Sequence, residues 1–66
     1  MFKIGDHVWA DFGFGKELAH VVEGKHDVGG EDKWGIQDSA GTTHALGHRE
    51  PKDRDDKGSG RTFWSI

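Results

Sequence analysis

The stretch Phe2-Lys3-Ile4-Gly5-Asp6-His7-Val8-Trp9-Ala10 decides the fold. Apolar and polar residues alternate from Phe2 to Asp6, and Gly5-Asp6 is turn chemistry. From His7 onward, Val8, Ala10 and Phe12 fall on one face, with His7, Trp9 and Asp11 on the other. Period-two alternation of branched and aromatic side chains is the pattern of a half-buried strand. Ile4, Val8 and Ala10 are therefore expected to form an inner wall, leaving His7 and Trp9 outward.

Working outward, Phe12-Gly13-Phe14-Gly15 reads as a turn, since glycine tolerates positive φ. With Gly13-Phe14 as the loop, Val8 lies opposite Ala19 and His7 opposite His20. Lys16 to Glu23 is the second strand, carrying Leu18, Ala19, Val21 and Val22. Gly24 to Asp32 is polar and glycine-rich, which predicts a mobile loop. Lys33 to Asp38 is the third strand, with Trp34 and Ile36 sharing a face. Asp38-Ser39-Ala40-Gly41 predicts a type I turn with Gly41 left-handed, and Thr42 to Leu46 returns as the fourth strand. Gly47 to Gly60 is charged and nearly free of apolar residues, and Pro51 suits the first position of a helical turn. Arg61 to Ile66 is the last strand. The expected fold is all-β: one domain over residues 1–66, a small five-stranded barrel with a long charged loop (47–60) before the last strand.

The totals bound what such a domain can do. At 66 residues and 32% hydrophobic, the chain can build only a small core, supplied by Phe2, Phe12, Phe14, Phe63, Trp9, Trp34 and Trp64. Covering apolar surface by forming a homo-oligomer is a natural alternative. Cysteine is absent, so no disulfide staples the fold and no thiolate serves as nucleophile or ligand. The formal net charge of −3 disfavours a general nucleic-acid binder. No segment is long and apolar enough for a signal peptide or a membrane span, which makes a cytoplasmic protein the expectation. The Met1 start and the apolar Ile66 end suggest a complete small gene product.

Ile4-Gly5-Asp6-His7-Val8-Trp9-Ala10, followed by a glycine turn and Ala19-His20-Val21-Val22, resembles the opening of Tudor-like and KOW-like members of the Src-homology-3-like barrel group. The Gly-Asp-x-Val pattern is also similar to small bacterial proteins of the hypervirulence-associated Tudor-like family. The resemblance covers about the first third of the chain. It implies a Src-homology-3-like barrel and, from Tudor-like domains, a cage of aromatic rings that holds a methylated Lys or Arg by cation–π attraction. Trp9, Phe12, Phe14 and Trp34 are the candidate walls, against the plainer reading that most of these rings are core.

Other constellations carry less chemistry. Zinc needs three or four converging ligands, and neither His44 with His48 nor His7 with His20 supplies them, so no metal is expected. Asp53 to Gly58 fails as a calcium loop, because Lys57 and Trp64 stand where oxygen ligands are required. No motif orders a nucleophile beside a base, and no cofactor signature is present, so an enzyme is not expected. The reading that remains is a small non-catalytic protein-binding or regulatory module. Its candidate contact residues are Trp9, Phe14, Trp34, Arg49, Arg54, Arg61 and Trp64. The alternative is a KOW-like nucleic-acid-binding surface, and a histidine-based metal module ranks behind both.

Overall fold

The structure, a computed structural model, describes residues 2–49 and 61–66. Strand β1 spans His7–Asp11, β2 Lys16–Val28, β3 Glu31–Gln37, β4 Thr43–His48 and β5 Thr62–Ser65; no helix occurs among the described residues. The strands form one sheet in the order β1-β2-β3-β4-β5, and the order closes because β5 pairs antiparallel with β1 and parallel with β4. Closure leaves few unpaired ladder groups along the body of the sheet, a common answer to the exposed-edge problem in small β domains.

The alternation read from the opening stretch places the core. Val8 and Ala10 are fully buried, and Phe12 nearly so, beside Ala19, Val21, Ile36, Leu46 and Phe63. The β1–β2 register is the expected one: His7 pairs with His20 and Val8 with Ala19. Asp11 Oδ1 fixes the turn that follows by accepting the Gly13 amide at 2.7 Å. The second expected hairpin also forms. Gly41 has φ +87° and donates its amide to the Asp38 carbonyl at 3.1 Å, the geometry of a type I turn closed by a left-handed glycine.

Three expectations need correction. Ile4 does not line the inner wall; it is 69% exposed at a turn in which the Asp6 amide bonds to the Lys3 carbonyl at 3.0 Å. Phe2 takes the inward place instead, its ring 4.8 Å from that of Phe63. The turn interrupts the period, so parity counted back from Val8 fails before Asp6. Second, Gly24 to Asp32 is not a loop: β2 runs through to Val28 and β3 begins at Glu31. The turn is Gly29-Gly30, both at positive φ (63° and 87°), a two-glycine hairpin turn whose twist matches the flanking strands. The β2–β3 register shifts between Val21 and Glu23 and between Glu23 and His26, the irregularities at which a strand bends and twists more strongly. Third, β4 extends to His48, so Gly47 and His48 belong to the sheet and not to the charged segment. The rest of that segment, from Glu50 to Gly60, and with it the helical turn read at Pro51, lies outside the described residues.

Candidate functional site

An open groove of about 610 Å³ lies where β3, β4 and β5 adjoin, lined by Lys33, Trp34, Gly47, His48, Arg49 and Thr62 together with the acidic Glu31 and Asp32. The sequence builds it in two ways. Trp34 sits on the core face at the middle of β3, and its ring packs against the core cluster while remaining only partly buried. Gly47 contributes no side chain: a Cβ there would lie 3.6 Å from Lys33 Nζ, so the lysine ammonium occupies the space next to the bare strand.

Behind the groove stands a cluster of rings. Phe2 meets His48 at 4.7 Å and Phe63 at 4.8 Å between centroids, both edge-on, and Trp34 meets Phe63 at 5.4 Å. Edge-to-face packing at these distances stabilises beyond area burial and holds the rings in fixed orientations. The electrostatics are mixed. Lys33 Nζ is 3.2 Å from Glu31 Oε2, and Arg49 joins β5 through its amide, which donates to the Phe63 carbonyl at 2.9 Å. Thr62 Oγ1 is buried without a hydrogen-bond partner among the described residues. A buried unpaired hydroxyl costs stability unless something satisfies it, and this one belongs to a groove residue.

The structure distributes the sequence-derived contact residues over several surfaces. Trp34 and Arg49 share the groove. Phe14 stands at the tip of the first hairpin, 92% exposed. Trp9 is on the outer face as expected, but Lys16 Nζ lies 4.5 Å from its ring centroid, so its π face already holds a cation from its own chain. Arg61 is exposed, with a left-handed φ of 57°. Arg54 lies outside the described residues. Trp64 is corrected: it is 5% exposed and therefore not an accessible contact, although the strand parity of β5 places it opposite the core residue Phe63. The four candidate cage walls do not converge either. Phe12 is buried in the core and Trp34 packs with Phe2 and Phe63, which leaves Phe14 exposed alone.

One pair escaped the sequence reading. His44 Nε2 and Asp38 Oδ2 are 2.8 Å apart, and the His44 ring packs on Phe12 at 4.5 Å. Asp38 also accepts the amides of Ala40 and Thr42 at 2.9 Å. The His44 hydrogen bond, then the turn amides, hold the Asp38 carboxyl below its ordinary pKa. The signal was present as an Asp opening a turn with a His six residues on, but only the hairpin register brings them together. The other contacts of the pair are the Phe12 ring and the Ala40 and Thr42 amides, so it clamps a turn. No group of three or more metal-ligating side chains occurs among the described residues, and the His7 and His20 rings lie 6.2 Å apart as a pair.

No protein-family model matches this chain, and comparison with curated proteins and with solved structures gave no match.

Proposed function

We propose that this protein is a small non-catalytic binding module of the Src-homology-3-like barrel type, and that its partner is a polypeptide that docks in the groove beside Trp34. The groove carries the proposal. It combines one aromatic wall and side chains of both signs within one opening. An extended peptide presents such a mixture of apolar, polar and charged groups at short intervals, while a phosphate backbone presents only negative charge. Phe14 is a second contact, since a large ring free of its own core is the kind of residue that anchors an interface.

A designed block tests the site. Gly47 has ordinary backbone geometry, and an added Cβ would meet only van der Waals contacts. Gly47→Val therefore keeps the strand and fills the groove. Peptides selected from a displayed random library on the wild-type protein are expected to shift the amide resonances of Lys33, Trp34, Gly47, His48 and Thr62. Gly47→Val is expected to weaken them tenfold or more with an unchanged circular dichroism spectrum. Selected peptides that bind Gly47→Val as well as wild type sink the proposal.

A KOW-like nucleic-acid surface is the second reading, favoured by Trp34, Lys33 and Arg49 lining one groove, the combination of stacking ring and cations that single strands use. Glu31 and Asp32 in the same lining oppose it. Titrating single- and double-stranded oligonucleotides from low to moderate salt separates the readings, because phosphate contacts give a steep salt slope.

A further inference from the structure

The five histidines of the chain are not equally committed. His26 Nδ1 lies 3.1 Å from the Gly24 carbonyl oxygen, and His44 Nε2 lies 2.8 Å from Asp38 Oδ2. The His48 ring packs among those of Phe2, Trp34 and Phe63. His7 and His20 differ. Among the described residues neither makes a hydrogen bond or an ion pair, and the one ring that either meets is the other's. They stand directly opposite each other on β1 and β2, His7 exposed and His20 half-buried. Their ring centres are 6.2 Å apart and their planes are tilted by 47°.

The strands hold this pair firmly. Val8 and Val21, the next residue along each strand, are buried in the core, and so is Ala19 opposite Val8. Beyond the pair, the Val21 amide donates to the Asp6 carbonyl at 2.9 Å, and the Gly5 amide donates to the Val21 carbonyl at 2.8 Å. The backbone is therefore fastened on both sides of the two imidazoles, and only their own side-chain torsions remain to be set.

We propose that His7 and His20 form a two-point chelate for a divalent late first-row transition-metal ion, bound most tightly as Cu²⁺. Imidazole nitrogen suits this class of ion, and Cu²⁺ stands highest in its affinity order. A metal–nitrogen bond of about 2.0–2.1 Å puts the centres of two imidazoles on one ion about 4.5–5.2 Å apart, for bond angles from square to tetrahedral. The observed 6.2 Å exceeds the upper end by about 1 Å, which small side-chain rotations of two solvent-facing rings close. The pair's neighbours in the ladders are uncharged: Gln37 stands opposite His20, and Trp9 and Leu18 form the next row on that face. Lys16, four residues from His20, is held over the Trp9 ring. The net charge of −3 favours the approach of a cation.

The second ring supplies the strength, because an ion held by one imidazole meets the other intramolecularly. Two protein ligands leave the remaining positions to water, so the ion exchanges. This is not the three- or four-ligand zinc centre on which the folding of small domains depends. It is a cross-link between β1 and β2 on a sheet that is complete without it.

Titrating Cu²⁺ into the isotope-labelled full chain at pH 7.5 locates the site, since the paramagnetic ion broadens the nearest amide resonances first. Those of His7, Val8, Ala19 and His20 are expected to fade at substoichiometric metal. By calorimetry, His7→Asn and His20→Asn are each expected to weaken Cu²⁺ binding about tenfold or more. Both are expected to keep a wild-type circular dichroism spectrum, and the double variant to bind no more weakly than either single one. His26→Asn is expected to bind as wild type does. Affinity unchanged in both single variants overturns the inference. So does broadening that begins at the amino terminus, His26, His44 or His48, or a wild-type chain that binds no Cu²⁺ at about 1 mM.

Discussion

The two halves of β2 are one continuous strand with opposite energetics. From Lys16 to Val22 it alternates, burying Ala19 and Val21 against β1 and β3. From Glu23 to Val28 every residue is exposed, yet the ladder to β3 continues through His26 with Lys33 and Val28 with Glu31. The outer half is held by its two-glycine turn, the Asp27 carboxylate accepting the Gly30 amide at 2.8 Å, and a long Lys25–Asp32 ion pair at 3.9 Å. Hydrogen-bonded pairing thus does not require burial, but stability does: a two-stranded ribbon alone is marginal in water, and this one persists because its base is anchored in a core.

That contrast can be broken most severely from inside. Phe63 is fully buried and touches the rings of Phe2, Trp34 and His48. Phe63→Ala should cost about 3–5 kcal/mol, comparable to the few kcal/mol available to a domain of this size. Loss of dispersed amide resonances at 25 °C is the expected result. The junction between the halves comes next. A Cβ on Gly35 would lie 2.6 Å from the Glu23 Cβ, close to the backbone, where the strand cannot yield cheaply. Gly35→Ala should cost about 1–3 kcal/mol in urea titrations, and Glu23→Gly in the same chain should recover part of that loss.

The second hairpin turn answers to acid. The Asp38 carboxyl is held below its ordinary pKa, first by His44 and then by the Thr42 and Ala40 amides. Its ionised form therefore stabilises the fold at every pH above the ordinary aspartate value of about 3.9. That contribution is lost as pH falls from there through the lowered folded-state pKa. Thermal melts between pH 5 and pH 2 should show a falling midpoint, and Asp38→Asn should flatten that fall while lowering the midpoint at pH 7. The smallest effect belongs to the outer half of β2: Lys25→Ala should change stability by no more than about 0.5 kcal/mol. Amides from Lys25 to Asp32 should exchange with solvent faster than those from Ala19 to Val21.

Much of the body was legible along the chain. Val8, Ala10 and Phe12 declare their face through alternation, and the Asp38–Gly41 turn declares itself through its residues. The β1–β2 register followed from turn length, because a hairpin loop sets which residues face each other. The outer half of β2 was misread because its polar composition resembles a loop. The two glycines that make a tight hairpin turn were counted as flexibility. The candidate site is legible only in part: Trp34 and Arg49 stand out along the chain, but Gly47 and Thr62 do not, since an absent side chain and a small hydroxyl become groove features only beside their neighbours.

The sequence by itself determined the core strands, the inner face of Val8, Ala10 and Phe12, and the Asp38–Gly41 turn, because these depend on residues a few positions apart. Tertiary structure decided the rest. It put Phe2 inside and left Ile4 out, because the open end of the closed sheet had room for a ring that could reach Phe63. Trp64 was buried on the face opposite Phe63, and His44 was brought onto Asp38 by register. The parallel contact of β4 with β5 closed the order and formed one wall of the groove. Each of these joins residues distant along the chain, and their loop-closure entropy is offset only once the whole sheet forms.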